Sequence, residues 1–138
     1  MPRFELRFET SADVDLIDIT RDVASCVQQA GVAEGVAACF TPGSTAALTT
    51  IEYESGCLRD LAEALDQIAP RRGDYHHNAR WGDGNGYSHL RAALLGPALT
   101  VPVSGGELEL GTWQQLMLCD FDNKPRQRRV VVRVLADA

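Results

Sequence analysis

Residues 112–135, TWQQLMLCDFDNKPRQRRVVVRVL, decide the fold. Two strand-like runs, Thr112 to Phe121 and Arg128 to Leu135, flank Asp122-Asn123-Lys124-Pro125, whose residue types favour a turn. Each run holds consecutive apolar positions, Leu116-Met117-Leu118 and Val130-Val131-Val132, so both faces of each strand need cover. Immediately upstream, Ala98 to Val103 reads as a strand and Ser104-Gly105-Gly106 as a turn, with Leu108 and Leu110 continuing the sheet. The C-terminal third is therefore all strand and turn.

Further upstream the pattern changes. Phe4, Leu6 and Phe8 alternate with Arg3, Glu5, Arg7 and Glu9, which predicts a strand buried on one side only. Val23, Ala24, Val27 and Ala30 recur at helical spacing, with Thr20 or Asp18 placed to cap the helix and Gly31 to end it. Gly35 to Thr41 and Ala46 to Tyr53 read as strands punctuated by Pro42-Gly43. Leu58, Leu61, Ala62, Leu65 and Ile68 define a second helix closed by Pro70. Tyr87 to Leu95 is a shorter third, with Asn85 or Ser88 near its start and Gly96-Pro97 at its end. Strands in runs with helices grouped between them predict an α+β fold with a largely antiparallel sheet. A single small sheet with three helices cannot cover strands that are apolar on both faces. Association of subunits is the simplest cover.

A length of 138 residues suits one domain, and 45% hydrophobic with 23% charged residues excludes a disordered tail or a collagen-like repeat. The net charge of −6 disfavours binding to nucleic acid or an anionic membrane. No apolar run reaches the roughly 18–20 residues that span a bilayer, and Met1 to Glu5 lacks a signal peptide's apolar segment, so a cytoplasmic address is expected. Cys26, Cys39, Cys57 and Cys119 form no C-x-x-C pair and lie in apolar or small-residue stretches, which predicts reduced core thiols.

Chemistry concentrates in Pro70 to Gly86, PRRGDYHHNARWGDGNG, seventeen residues without helical or strand periodicity. All three histidines of the chain, His76, His77 and His89, lie in it or just beyond it, interleaved with Asp74, Asn78, Asp83 and Asn85. Imidazole suits divalent-metal binding and proton transfer near neutral pH. Adjacent histidines on an extended backbone point opposite ways, so one of His76 and His77 faces a site. The economical pair is His77 with His89, with Asp83 or Asn85 offering oxygen to zinc, manganese or magnesium. The plainer alternative is a solvated loop whose histidines bond its own backbone.

A second candidate is Pro42-Gly43-Ser44-Thr45, whose hydroxyls and N–H groups could hold a phosphate, although a hairpin turn explains it as well. Glu52 would be a ligand or base if buried, and otherwise lies on an exposed strand face. Arg126, Arg128, Arg129 and Arg133 read as a solvated or interface face, with a phosphate-binding arginine as the alternative. Trp113 reads as core or subunit interface. Gly82, Gly84 and Gly86 follow no strand and lack dinucleotide-loop spacing; Asp83 to Gly86 is too short for a calcium-binding hand; Ser44 sits in no nucleophile elbow.

STAALTTIEYE (44–54), YHHN (75–78), DGNGYSHL (83–90), the LLG…VPV run, LELGTWQQ (108–115) and FDNKPRQRRVVV (121–132) together resemble the YjbQ-like family, also called the secondary thiamine-phosphate synthase family. The resemblance spans nearly the whole chain as a single YjbQ-like domain, residues 1–138. It implies a two-layer, β-sandwich-like α+β domain with about three helices, assembled as a homotrimer, with a metal or ligand site around His77 and His89, and Asp83 and Asn85 between them. It also implies weak thiamine-phosphate synthesis, joining hydroxymethylpyrimidine diphosphate to a thiazole phosphate with release of pyrophosphate. Many relatives carry a histidine before the hydroxyl pair where this chain has Gly43. Glu52, water or a neighbouring subunit would have to replace that imidazole.

Three functions use these residues. A transferase would hold a divalent metal on His77, His89 and Asp83 and a small phosphorylated metabolite on Ser44, Thr45 and Asn85, with His77, His89 and Glu52 as catalytic groups. A non-catalytic trimer would bind a metal or small ligand there, and a hydrolase would cleave a phosphorylated metabolite there. The lack of a nucleophile–base pair favours transfer or binding.

Overall fold

The computed structural model describes residues 2–138; Met1 lies outside them. Eight strands and four helices follow one another in this span. They are β1 (Arg3–Thr10), β2 (Asp15–Asp18), α1 (Thr20–Ala30), β3 (Gly35–Phe40), β4 (Ala46–Ile51), α2 (Ser55–Ile68), α3 (His76–Trp81), α4 (Gly86–Leu95), β5 (Ala98–Ser104), β6 (Glu107–Leu108), β7 (Gln115–Asp120) and β8 (Arg126–Ala136). The strands form two antiparallel sheets, one in the order β1-β8-β3-β5-β6 and one in the order β2-β7-β4. The α+β class and antiparallel pairing are as the sequence predicts.

The two sheets face each other across one core. Val130, Val132 and Val134 of β8, Ala37 and Cys39 of β3, and Val101 and Val103 of β5 meet Leu116 and Leu118 of β7 and Leu48 of β4. Helix α1 closes this core with Val23, Cys26 and Val27, and ends on a left-handed Gly31 as its sequence predicts. Its entry is braced by Asp18 rather than capped by it: Asp18 Oδ1 accepts from the Thr20 N–H and hydroxyl at 3.0 and 2.6 Å. A second core lies on the other face of the small sheet, where Met117, Cys119, Phe121 and Ala47 pack under Leu65 of α2 and Ala92 of α4.

Strand β7 is thus buried on both faces within one chain. Its Leu116-Met117-Leu118 run needs no second subunit, which corrects the expectation drawn from a single sheet: the sheet splits in two, and α2 and α4 cover the smaller half. Four local expectations also change. The span 70–86 is not free of structure, because α3 forms inside it. The strand expected from Thr112 begins at Gln115, since Gly111 to Gln114 make a turn closed by Gln114 N–H to Gly111 O at 3.0 Å. Trp113, on that turn, is 71% exposed and is not core within the chain. Finally, Pro42 to Thr45 is no hairpin: it carries the chain from the large sheet to the small one.

Cys26, Cys39 and Cys119 are buried and Cys57 is half-buried, all as free thiols. Burial pushes the Cys39 thiol up to about 11 and that of Cys119 up to about 12. Under native conditions an aromatic disulfide reagent is expected to titrate Cys57 alone quickly, with the other three reacting only after denaturation. Leu118, with no exposed surface, has no room to be replaced. Leu118→Ala is expected to cost about 3 kcal/mol of unfolding free energy in a urea titration.

Candidate functional site

The turn 42–45, α3, the first turn of α4 and the β7–β8 turn converge on a cleft of about 410 Å³. That volume is in the range of small-ligand sites. Helix α3 supplies His77 and α4 supplies His89, and their rings lie side by side with centroids 4.4 Å apart and planes tilted by 42°. The two helices are locked together locally. Asn78 Oδ1 accepts from the Gly86 N–H at 2.9 Å, and the Tyr75 hydroxyl donates to Pro70 O at 2.5 Å. A Cβ at position 86 would come within 2.7 Å of Tyr75 Cβ and 2.9 Å of Asn78 Oδ1, so the close approach requires glycine. His76 is exposed and outside the cleft. One of the adjacent histidines faces the site as expected, but because they sit on a helix, not an extended strand.

The floor is ionic. Asp120, at the end of β7, receives Arg128 Nε at 2.7 Å and Nη2 at 3.0 Å, the Thr10 hydroxyl at 2.5 Å and the Asp122 N–H at 3.0 Å. Asp122 receives Arg126 Nε at 2.9 Å, the Thr45 hydroxyl at 3.1 Å, Asn85 Nδ2 at 3.3 Å and the Asn123 N–H at 2.8 Å. Burial pushes the Asp122 carboxyl up, but the donors from Asn123, Asn85, Arg126 and Thr45 outweigh it and hold the group below its ordinary value.

Against this floor the expected residues fare differently. Ser44 lies exposed on the cleft wall. Thr45 lines the cleft too, but its hydroxyl is engaged, accepting from Arg128 Nη2 at 2.5 Å while donating to Asp122. Asn85 is 5% exposed; its amide nitrogen is fixed on Asp122, and its buried Oδ1 has no hydrogen-bond partner. Asp83 Oδ1 stands 3.5 Å from His77 Nδ1, a buried atom that likewise lacks a hydrogen bond. Glu52 is outside the cleft: β4 ends at Ile51, leaving Glu52 exposed beyond it, so it does not supply what Gly43 lacks.

Asp120 and Asp122 are the residues missed, and of the arginines read chiefly as a solvated or interface face, with phosphate binding as the alternative, Arg126 and Arg128 line the cleft. The side chain of Arg128 is 10% exposed and lines the cleft, so it belongs to no solvated face. The signal was present in the alternation of β8: counting back by two from Val134, Val132 and Val130 leads to Arg128 and Arg126 on the core-facing side. Arg128 Nη1 makes no hydrogen bond among the described residues, and a Cβ on Gly43 would lie 3.3 Å from it.

The donors of metal-ligating type in the cleft are the two imidazoles, the Asp83 carboxylate and Asn85 Oδ1, of which His77 Nδ1 and Asn85 Oδ1 are buried without a hydrogen-bond partner. The cleft offers no complete shell, since among the described residues no three His, Cys, Asp or Glu side chains are arranged to enclose an ion. Water and ligand oxygens would have to fill the remaining positions. A smaller depression of about 280 Å³ is bordered by Asp13, Arg59, Glu63, Asp66, Arg71 and Arg91 around Tyr87. Arg71 pairs with Asp13 and Arg91 with Asp66, while Arg91 covers the Tyr87 ring at 5.0 Å.

Fold and cleft define a two-sheet α+β domain with a polar cleft at the seam between its sheets. The profile of the UPF0047 protein YjbQ-like family matches residues 4–137, and the chain belongs to that family. It is 40% identical over 131 residues to a UPF0047 protein of Archaeoglobus fulgidus, covering 95% of this chain and 99% of that one. It is 31% identical to the UPF0047 protein YugU of Bacillus subtilis, covering 94% and 96%. Among solved structures, an uncharacterised YjbQ/UPF0047 protein of Clostridium acetobutylicum superposes with a TM-score of 0.88 at 36% identity, covering 96% and 99%. A hypothetical protein of Aeropyrum pernix superposes with a TM-score of 0.92 at 28% identity, covering 99% and 100%. No helix among the described residues is long and apolar enough to cross a membrane.

Because the folded-state pKa of Asp122 is lowered, its stabilisation is present above the unfolded value of about 4 and is lost as pH falls through the folded value. Asp122→Asn is therefore expected to destabilise most at neutral pH. In urea titrations from pH 7 downward, the gap to wild type should narrow as pH drops below about 4.

Proposed function

We propose that the cleft binds phosphorylated small metabolites and supports a transfer in which pyrophosphate leaves. The observation that carries this is a set of unspent donors above a floor whose carboxylates are already satisfied. The acceptors on the floor, Asp120 and Asp122, are saturated, while Arg128 Nη1, the outer nitrogens of Arg126, the Ser44 hydroxyl and two imidazoles still face the cavity. Saturated acceptors beside unspent N–H and O–H groups make an anion site, because a phosphate brings only acceptors.

The reaction is thiamine-phosphate synthesis. The thiazole nitrogen attacks the methylene carbon of hydroxymethylpyrimidine diphosphate, the C–O bond breaks, and its electron pair leaves with pyrophosphate. The chain's work is to orient both partners and to neutralise the leaving group. Arg126, Arg128 and Ser44 hold phosphate oxygens. His77 and His89 donate protons or hydrogen bonds to the departing oxygens, and Asn85 Oδ1 accepts from an amine or hydroxyl of the substrate. A zinc, magnesium or manganese ion, when bound, would draw on the His77 and His89 imidazoles or the Asp83 carboxylate with water and substrate oxygens completing its shell, and would supply further charge neutralisation. The working form is a homotrimer, a reading supported by Phe40, Leu94 and Trp113, which are 48%, 59% and 71% exposed in the single chain.

Titration calorimetry with inorganic pyrophosphate is expected to give binding that weakens as salt rises. Pyrophosphate release from the two thiamine precursors, with each metal ion supplied, should fall at least about a hundredfold in His89→Ala. Binding without turnover would assign the cleft to the non-catalytic role instead. No pyrophosphate binding at all would overturn the reading.

A further inference from the structure

The depression of about 280 Å³ between α2 and α4 shares no residue with the cleft. Helix α4 borders both: His89 lines the cleft, while Tyr87 and Arg91, two positions to either side of it, line the depression. A step of two residues turns about 200° around a helix, so the two hollows lie on opposite sides of α4. Three arginines and three carboxylates surround the depression, which leaves it without net charge. Four of these six are spent on one another, Arg71 with Asp13 and Arg91 with Asp66. The side chains of Arg59 and Glu63, one turn apart on α2, form no ion pair or hydrogen bond among the described residues. At the base, Arg91 is 3% exposed and gives Nε to Ala69 O at 3.0 Å and Nη2 to Asp66 at 3.3 Å, which leaves Nη1 without a hydrogen bond. The hydroxyl of the buried Tyr87 has no partner either. Buried polar groups are ordinarily paired, so unspent donors at the base of a hollow stand out. The rest of the wall is apolar, from Val14, Ala62 and the Tyr87 ring.

We infer that this depression is a second site, separate from the cleft, for a small free α-amino acid with an aliphatic side chain. The carboxylate of that ligand lies between Arg59 and Arg91 Nη1, above the Tyr87 hydroxyl. Its ammonium faces Glu63, and its side chain covers Val14 and Ala62. A plain anion would be drawn to the arginines but repelled by three carboxylates, and a plain cation would meet the reverse. A molecule carrying both signs a short distance apart answers Arg59 and Glu63 together. It also gives the donors at the base an acceptor without burying an uncompensated charge. A cavity of roughly 150 Å³ holds a benzene, so one of about 280 Å³ takes a molecule the size of leucine. This site stands apart from the anion reading of the cleft and does not need it.

Calorimetry on the full chain compares L-leucine with two analogues that each lack one charge: isopentylamine, without the carboxylate, and isocaproate, without the ammonium. Leucine is expected to bind at least about tenfold tighter than either, since a lost charge-assisted bond costs roughly that factor or more. Glu63 is exposed, so Glu63→Gln removes the charge while keeping the shape and the fold. It should bring leucine down to the affinity of isocaproate and leave isocaproate no weaker. Arg59→Ala, also at an exposed position, should weaken leucine and isocaproate and spare isopentylamine. Neither variant should alter pyrophosphate binding, because neither residue borders the cleft. No binding of leucine, or equal binding of leucine and isocaproate, would overturn the site. So would a leucine affinity unmoved by Glu63→Gln, or one lost together with pyrophosphate affinity in either variant. Leucine binding as described in a wild-type chain that binds no pyrophosphate would support this site and remove only the anion reading of the cleft.

Discussion

The bidentate pair between Arg128 and Asp120 ties the two sheets together at the cleft. Asp120 ends β7 in the small sheet and Arg128 opens the core-facing stripe of β8 in the large one. An unpaired carboxylate with no exposed surface would cost several kcal/mol. Here the Thr10 hydroxyl and the Asp122 N–H complete the set of donors, so no lone pair is stranded. Geometry is the larger contribution. Two parallel N–H···O bonds allow one relative placement of the strand ends, and Thr45 and Asp122 are then fixed from that point. The cleft begins where the valine stripe of β8 gives way to arginine, because apolar packing stops there and ionic packing takes over.

Much of this architecture is legible in the sequence because its elements are long enough to show a period. Alternation marks β1 and β8, and three-to-four spacing marks α1 and α2. The four residues of β2 and the six of α3 are too short to show either pattern. Both exist through tertiary contacts: β2 by pairing with β7, α3 by the Asn78–Gly86 bond and the Tyr75 prop beneath it. The split into two sheets was equally hidden. Consecutive apolar residues at Leu116 to Leu118 say that both faces are covered, but not by what. The answer, α1 with the large sheet on one side and α2 with α4 on the other, depends on where the chain crosses between sheets at Pro42 to Thr45.

The site divides along the same line. Clustering of histidines is a property of composition, and it picks out His77 and His89, which the fold brings side by side in one cleft. Roles that depend on who else is nearby did not transfer. The Thr45 hydroxyl, which looked available for a ligand, is consumed by Arg128 and Asp122. Glu52 looked like a group inside an apolar strand, yet the strand stops one residue earlier. Arg126 and Arg128 looked like surface because a run of charge usually is. Register with Val130, Val132 and Val134 turns Arg128 inward, while Arg126 stays exposed at the cleft's edge.

Gly43 draws these strands together. The family resemblance puts a histidine at this place in many relatives, and here the backbone adopts φ +139 with Arg128 Nη1 where a Cβ would approach it to 3.3 Å. A side chain at 43 would press on the end of the Arg128 guanidinium, which would have to give by a few tenths of an ångström. The chemical consequence of the glycine follows from what each group can do. An imidazole offers a lone pair to a metal, whereas a guanidinium has none and offers only N–H donors. On the proposed reading, a glycine in place of that imidazole leaves His77 and His89 as the imidazoles in the cleft and gives the guanidinium the larger part in holding an anion.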